Sequence, residues 1–255
     1  MSQVPGAGML SRLLGRDPLP RTTAPPTPLN RPVSMHRRYA FVELPLADIK
    51  KIKSANGVTV NDVVMALAAG VVRRWLLAHD ALPDRPLVVG VPFSIREHVG
   101  VRPGNQVTLM TVPLPTQVED PRLRLGAVHE SMRRIKERFA LAPAGWLSEL
   151  SESLPAAFNG LADRAAFALA GQAMTPINLI VSNIPGPQMP LSIAGVRMLG
   201  HYPVSMVTGV SGGLNITAFS YDGRLDIGFT ACRDLVPDVW TLPEHARAAL
   251  TELLP

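Results

Sequence analysis

The feature that most constrains the fold of this chain is a stretch, residues 63–72, in which every position is apolar or small. A helix that is apolar on all sides is buried on all sides, so the stretch predicts a central helix. Thr59 can cap the first turn. Asp62, three residues later, can complete a capping box, and its charge suits the positive end of the helix dipole. The predicted helix therefore starts with the dipeptide Asn61-Asp62.

Strand and helix patterns alternate around this helix and predict an α/β fold, a mixed sheet with flanking helices. A hairpin is predicted over residues 214–230, because Asp222-Gly223 supplies the positive φ angles of a tight turn. Ser182-Asn183 is predicted in a turn, residues 182–187, that contains two prolines. The other predicted elements are strands at 38–44, 87–92, 106–114, 177–181 and 196–202, and helices at 45–54, 120–138, 146–173 and 242–254.

Composition divides the 255 residues into two parts. Residues 1–32 are rich in Pro, Gly and Arg and are predicted to form a linker or arm. Residues 33–255 are predicted to form the folded domain, which the hydrophobic fraction of 47% allows. The single cysteine, Cys232, excludes an intrachain disulfide and is expected to be a small core residue.

The net charge of +5 favours anionic partners, such as a phosphorylated compound or a membrane surface. Nucleic acid is not expected, because aromatic residues make up only 5% and the basic residues are dispersed. The sequence has no signal-peptide pattern and no run of about 18 apolar residues that would span a bilayer. We therefore expect a cytoplasmic protein, peripheral at most to a membrane or a lipid inclusion.

Candidate reactive residues are few. Ser211 lies in a G-x-S-x-G motif, but a nucleophile elbow needs a helix after the serine and a strand pattern follows here, so a serine hydrolase is the less favoured alternative. His129 and His245 are predicted on helices as surface or helix-end residues. His98 and His201 fall in loops and are better candidates for a site. The spacing of the histidines predicts no metal site.

Several segments, in their order along the chain, resemble the C-terminal half of a bacterial wax ester synthase/diacylglycerol acyltransferase. The resemblance covers about residues 28–255. The segments are Pro28-Leu29-Asn30, Thr59-Val60-Asn61-Asp62-Val63-Val64, Val91-Pro92-Phe93-Ser94-Ile95-Arg96, Gly104-Asn105, Asp120-Pro121 with Arg124-Leu125, Val181-Ser182-Asn183-Ile184-Pro185-Gly186-Pro187, Gly213-Leu214-Asn215-Ile216-Thr217 and Ser220-Tyr221-Asp222-Gly223.

The resemblance implies the C-terminal domain of a two-domain CoA-dependent acyltransferase. Such enzymes move a fatty acyl group from acyl-CoA, a co-substrate, to diacylglycerol or a long-chain fatty alcohol, without a bound cofactor. The family's catalytic motif, HHxxxDG, lies in the N-terminal half and is absent from this sequence, so no catalytic residue is assigned. A separate N-terminal half is an expected partner, and self-association through the surface it would cover is expected.

The same resemblance implies that Asn61, Asp62, Ser182 and Asn183 line the substrate channel between the two domains. Purely structural interpretations stay open: Asn61-Asp62 as the start of a helix, and Ser182-Asn183 as a turn before two prolines. An alternative function also stays open, a non-catalytic module that binds lipid or CoA.

Overall fold

The computed structural model describes residues 23–94, 107–140 and 177–255. Eight strands and four α-helices lie within them. In chain order they are β1 (Arg37–Pro45), α1 (Leu46–Asn56), α2 (Val60–Ala78), β2 (Leu87–Ser94), β3 (Val107–Leu114), α3 (Pro121–Ala140), β4 (Leu179–Pro185), β5 (Ser192–Ile193), β6 (Val196–Arg197), β7 (Leu214–Tyr221), β8 (Arg224–Cys232) and α4 (Thr241–Leu253).

Six strands form one mixed sheet in the order β1-β8-β7-β4-β2-β3, which confirms the predicted α/β class. The strand β4 is parallel to both of its neighbours, β2 and β7. The other pairs in this sheet are antiparallel. Because parallel strands run in the same direction, the carboxyl ends of β2, β4 and β7 meet at one edge of the sheet. We call this edge the carboxyl edge.

The predicted central helix is confirmed as α2. All residues from Asp62 to Val72 are buried, and Trp75 and Leu76 extend the buried surface. The helix packs against α1, α3 and α4 as well as against β4. No helix in the described ranges is by itself long and apolar enough to cross a bilayer.

The predicted hairpin is also confirmed. Strands β7 and β8 pair antiparallel up to Tyr221↔Arg224. The turn between them holds Asp222 at φ 42° and Gly223 at φ 82°. Two consecutive positive φ values are the signature of the tight turn that best matches the twist of paired strands. Cys232, at the end of β8, is fully buried, as expected of a core residue.

The turn predicted over residues 182–187 is wrong in its first half. Ser182 and Asn183 belong to β4, whose parallel ladder with β7 continues to Pro185↔Ser220. The residue before a proline prefers extended backbone, which is compatible with a strand as well as with a turn. Pairing with β7 makes these residues part of a strand. The extended stretch predicted at 196–202 is shorter, because β6 ends at Arg197. The helix predicted at 146–173 and the candidate His98 lie outside the described residues.

Part of the predicted arm packs against the domain. Leu29 is fully buried, and its carbonyl accepts a 2.7 Å hydrogen bond from the backbone N–H of Gly213. The side-chain amide of Asn178 donates to the carbonyl of Pro25 and to Asn30 Oδ1, over 2.8 and 2.6 Å. Residues 25–30 of the expected linker or arm therefore contact the domain, and the division of the chain at residue 32 stays a prediction. The nature of residues 1–22 stays a prediction.

Candidate functional site

Two of the predicted channel residues meet at the carboxyl edge. Asn61 stands in the first turn of α2, and Asn183 lies near the end of β4. The side-chain amide of Asn183 donates to Oδ1 of Asn61 over 3.4 Å, and both residues are half-buried. Ligands of open α/β sheets bind outside the carboxyl ends of the strands, so this contact marks the most favourable place for a site.

Asp62 completes the helix cap that the sequence predicts. The backbone N–H of Thr59 donates to Oδ2 of Asp62 over 2.9 Å, and the N–H of Asp62 donates to Oγ1 of Thr59 over 3.2 Å. The Asp62 side chain is only 2% exposed. Its second oxygen, Oδ1, is buried and has no hydrogen-bond partner among the described residues. The cap therefore accounts for one carboxylate oxygen of Asp62.

His129 is the residue that sequence reasoning missed. It was predicted to be a surface or helix-end residue of α3, yet its Nδ1 lies 2.8 Å from Oδ2 of Asp62. Its side chain is 39% exposed, so the ring lies at the border of the core. The available signal was its place four residues after Leu125 and beside Val128, which are buried positions of α3. No sequence pattern pointed to Asp62, which lies 67 residues earlier.

Ser182 lies on the other face of the sheet. Side chains alternate along a strand, and Leu179 and Val181 of β4 belong to the main core with the helices. Asn183 shares their face, whereas Ser182 points with Ile180 to the opposite one. There Ser182 stands beside Thr217, its neighbour in the ladder. The structure thus brings Asn61, Asp62 and Asn183 together and separates Ser182 from them; a channel role stays a prediction for all four.

Ser211 does not stand on a nucleophile elbow. Its Oγ accepts a 2.7 Å hydrogen bond from the backbone N–H of Thr208, within a tight loop. Strand β7 follows directly, so the helix that an elbow requires is absent at this point. Gly212, the next residue, has φ 75°, and a Cβ there would lie 2.0 Å from the carbonyl oxygen of Asn178. Close packing against Asn178 explains the glycine after Ser211, and the serine hydrolase is not supported.

His201, the other loop candidate, belongs to a separate cluster on the face of the sheet where Ser182 lies. Its ring packs on Phe219 with a centroid distance of 4.2 Å, and its backbone N–H donates to Oδ2 of Asp226 over 2.7 Å. Asp226 is fully buried, and this burial raises the pKa of its carboxyl group. The cluster anchors the segment after β6, and a functional role of His201 stays a prediction.

Within residues 23–94, 107–140 and 177–255, no three His, Cys, Asp or Glu side chains lie close enough together to hold a metal ion. A groove of about 420 Å³ opens on the face of the sheet that Ser182 shares, between the start of β1 and residues 204–208. It is lined mainly by apolar atoms together with Arg37 and Arg38. The guanidinium group of Arg37 donates to the carbonyl of Val207 over 2.8 Å, which holds the two walls together.

Comparison with known protein families gives two matches. The C-terminal domain of wax ester synthases/diacylglycerol acyltransferases (WS/DGAT) matches residues 103–254. The wax ester synthase/diacylglycerol acyltransferase catalytic domain matches residues 3–64. Asn61 and Asp62 thus fall in one matched region, and His129 and Asn183 in the other.

Individual proteins give the same result. A putative diacylglycerol O-acyltransferase of Mycobacterium tuberculosis is 39% identical over 233 residues, which are 91% of this chain and 46% of that protein. The O-acyltransferase WSD of Acinetobacter baylyi is 34% identical over 240 residues, 91% of this chain and 50% of that protein. The chain therefore spans about half the length of the curated relatives it matches.

Solved structures extend the comparison to the fold. A wax ester synthase/diacylglycerol acyltransferase from Marinobacter aquaeolei superposes with a TM-score of 0.74 at 27% identity, covering 99% of this chain and 57% of that one. The epimerization domain of tyrocidine synthetase B superposes with a TM-score of 0.54 at 16% identity, covering 97% of this chain and 54% of that one. The second likeness concerns the fold alone.

Proposed function

Because this chain belongs to the wax ester synthase/diacylglycerol acyltransferase family, we propose that it forms the C-terminal domain of an O-acyltransferase. In this proposal the enzyme moves a fatty acyl group from acyl-CoA to diacylglycerol or to a long-chain alcohol. Acyl-CoA is a co-substrate, and no resident cofactor is required. The names of the relatives support acyl transfer to oxygen as the reaction class.

The observation that carries the proposal is the contact between Asn61 and Asn183 at the carboxyl edge. It joins a residue of the region that matches the catalytic-domain family to a residue of the region that matches the C-terminal-domain family. Both segments also belong to the sequence resemblance. Two amides at an exposed edge can donate and accept hydrogen bonds, which suits the polar head of a lipid acceptor or the thioester of an acyl donor.

The reaction itself needs a proton acceptor. The acceptor hydroxyl must lose its proton as its oxygen attacks the thioester carbonyl, and the carbonyl oxygen must be stabilised as its charge develops. The paired histidines of the family's motif, of which the second acts as the base, are absent from these 255 residues. We propose that a polypeptide with the HHxxxDG motif supplies the base, and that this chain supplies the facing wall of the channel.

Acyl transfer with two separate polypeptides tests this function. The purified chain would be incubated with radiolabelled palmitoyl-CoA and either dioleoylglycerol or hexadecanol. The assay would be run with the chain alone and with the first half of the Acinetobacter baylyi O-acyltransferase expressed separately. We expect labelled triacylglycerol or wax ester only in the mixture. A control mixture would carry an alanine at the second histidine of HHxxxDG and should be inactive.

Two outcomes would contradict the proposal. Turnover by the chain alone, well above a buffer blank, would place the base within these residues. A mixture in which both parts are folded and associated, but no ester forms, would favour the alternative of a non-catalytic module. That alternative requires saturable binding of palmitoyl-CoA or of lipid by the chain alone, which equilibrium dialysis would measure.

A further inference from the structure

A carboxylate and an imidazole from two different helices meet beside Asn61. Oδ2 of Asp62, at the start of α2, lies 2.8 Å from Nδ1 of His129, on α3. The Asp62 side chain is 2% exposed and the His129 side chain 39% exposed. Asp62 is thus fixed inside the protein, and the side chain of His129 is partly exposed at the carboxyl edge.

The direction of this hydrogen bond follows from the helix cap. Oδ2 of Asp62 already accepts the backbone N–H of Thr59, so it acts as an acceptor and His129 must supply the hydrogen. A neutral imidazole has one N–H, which Asp62 therefore holds on Nδ1. Nε2 then carries a free lone pair. Nδ1 lies against a buried carboxylate while 39% of the His129 side chain is exposed, which leaves Nε2 as the ring nitrogen available to a ligand.

The helix cap alone does not explain this arrangement. A capping box needs one acceptor oxygen, whereas Asp62 is a complete buried carboxylate whose Oδ1 has no partner among the described residues. A buried polar atom without a partner is unfavourable, and His129 does not relieve it, because the imidazole bonds to Oδ2, the oxygen that also serves the cap. What the cap does not require is the bond to His129 itself, in which an acidic group orients an imidazole through Nδ1 and leaves Nε2 free to accept a proton or hydrogen bond.

We propose that Asp62 and His129 form a hydroxyl-binding pair, in which Nε2 of His129 accepts a hydrogen bond from an alcohol group of a bound lipid. Asp62 is the positioning residue, because it fixes the tautomer without contacting the ligand. Asn61 and Asn183 lie beside the pair. The proposal rests on the proposed function only for the identity of the ligand, which is the alcohol acceptor of acyl transfer. Nε2 of His129 holds the acceptor's single hydroxyl hydrogen while the acceptor docks, and that hydrogen must pass to the base of the HHxxxDG motif before the oxygen attacks.

The competing explanation is that the pair only links α2 to α3. Two variants separate the explanations. An asparagine places its amide where Nδ1 of histidine stands, so His129→Asn can still donate to Asp62 but has nothing in the place of Nε2. A glutamine reaches further, so the carbonyl oxygen of His129→Gln can replace Nε2 as an acceptor. If the pair is only a structural link, His129→Asn should retain its effect. If the pair binds a hydroxyl, His129→Gln should retain binding better than His129→Asn.

Nitrogen-15 NMR of the labelled full chain provides the direct test. We expect Nδ1 of His129 to carry the hydrogen and Nε2 to be unprotonated, with His129→Asn used to assign the signals. Addition of 1-dodecanol should move the Nε2 resonance. Dodecyl methyl ether, which has a similar chain and an oxygen but no O–H, should not. His129→Asn should bind 1-dodecanol about two- to tenfold more weakly, the change for one lost hydrogen bond.

The proposal is overturned if Nε2 carries the hydrogen in the free chain, if the ether moves its resonance as the alcohol does, or if folded His129→Asn binds 1-dodecanol as tightly as the unchanged chain. If a variant does not fold, the spectra of the unchanged chain still decide. Failure of the two-part acyl-transfer assay with a normal dodecanol response would refute the proposed function alone. A normal assay without a dodecanol response would refute the hydroxyl-binding pair alone.

Discussion

Asn61 and Asp62 are neighbours in the sequence but have different roles at the start of α2. Thr59 and Asp62 exchange the two hydrogen bonds of the capping box, which leaves the side chain of Asn61 out of the cap. That side chain instead accepts a long hydrogen bond from Asn183. Because the cap does not depend on Asn61, substitution there can separate a role in the channel from a role in folding.

We predict that Asn61→Ala folds but lowers acyl transfer in the two-part enzyme by about tenfold to 10²-fold, as expected when a polar contact to the reacting groups is lost. Loss of its hydrogen bond to Asn183 should cost only about 0.5–1.5 kcal/mol of stability. Asp62→Asn should also fold, but because the side chain is only 2% exposed it should lose up to about 2 kcal/mol of dipole interaction, and it should lose activity. Initial rates and thermal melting would be measured for both.

Asn56→Ala is the matched control for Asn61→Ala. Asn56 is exposed at the end of α1, and within the part of the chain that the structure describes its amide donates only to the carbonyl of Ile52, so its loss should leave acyl transfer unchanged. Full activity in folded Asn61→Ala would falsify the channel role of Asn61. An activity loss that merely follows the fraction of folded protein would assign Asn61 a structural role.

Asp226 is a second buried carboxyl group, and it lies in the cluster with His201 on the other face of the sheet from Asp62. Burial raises its pKa, and the nearby charge of Glu43 acts in the same direction. The hydrogen bond from the backbone of His201 and the charge of Arg224 lower the pKa but do not cancel the effect of burial. A carboxyl whose pKa is higher in the folded state binds its proton more tightly there, so its ionised form destabilises the fold at neutral pH.

We therefore predict that Asp226→Asn raises the free energy of unfolding at pH 7, because the amide oxygen can still accept the His201 N–H without a buried charge. The gain in the free energy of unfolding should shrink as the pH falls towards the ordinary aspartate pKa of 3.8. At that pH the carboxyl of Asp226 in the folded, unchanged chain is protonated and carries no charge either. Urea unfolding over this pH range measures it. The exposed Asp84→Asn changes the net charge equally and should show no such gain; a loss of stability at pH 7 in Asp226→Asn would refute the argument.

At the scale of elements, the contact between α2 and α4 depends on a glycine. A Cβ at Gly70 would lie 2.9 Å from Cβ of Ala249, closer than such atoms approach without movement of a helix. Gly126, in α3, offers the opposite case, because a Cβ there would meet no atom within 4 Å. Gly70 and Gly126 thus differ in the space available for a side chain, although the intrinsic helix propensity of glycine is the same at both positions.

We predict opposite effects of one substitution. Gly126→Ala should stabilise the protein by about 0.5–1 kcal/mol, the propensity difference in a helix. Gly70→Ala should destabilise it by about 1–3 kcal/mol, because overpacking outweighs the same gain. Chemical denaturation measures both. Adding Ala249→Gly to Gly70→Ala should restore part of the loss, and equal effects of the two single substitutions would show that α2 and α4 can separate freely.

At the scale of the whole molecule, half of the large apolar side chains that are exposed in the described ranges lie in one segment. Seven large apolar side chains between residues 189 and 206 are each at least 39% exposed. They are Met189, Leu191, Ile193, Val196, Leu199, Val204 and Met206. Apolar surface concentrated in this way is typical of interaction sites with proteins or lipids. This segment agrees with the expectation of a domain that associates with a partner, with itself or with a lipid surface.

We predict that the isolated chain self-associates or requires detergent, and that Val196→Ser combined with Leu199→Ser reduces self-association and hydrophobic-dye binding. Each side chain is more than 70% exposed, so stability should change by less than about 0.5 kcal/mol per substitution. Analytical ultracentrifugation and dye fluorescence measure this. Leu77→Ser, an exposed position on α2, is the control outside the segment. A strictly monomeric chain that binds no dye would contradict the prediction.

Local features were predictable from the sequence. The buried helix α2 followed from its uninterrupted apolar run, its start from Thr59 and Asp62, and the hairpin turn from Asp222-Gly223. Each depends on residues within a few positions of one another, so sequence spacing determines it. The order of the segments also indicated the family, which the comparisons confirmed.

Only the tertiary structure decided which side chains share the site. Ser182 and Asn183 were expected together in a turn, but the ladder with β7 extended β4 through both and placed them on opposite faces of the sheet. His129 was expected at the surface, but packing of α3 against α2 brought it to Asp62. These contacts join residues 35 positions apart in the ladder and 67 positions apart in the pair of Asp62 and His129. They depend on how helices and strands pack, and the hydrophobic period of each element does not specify that packing.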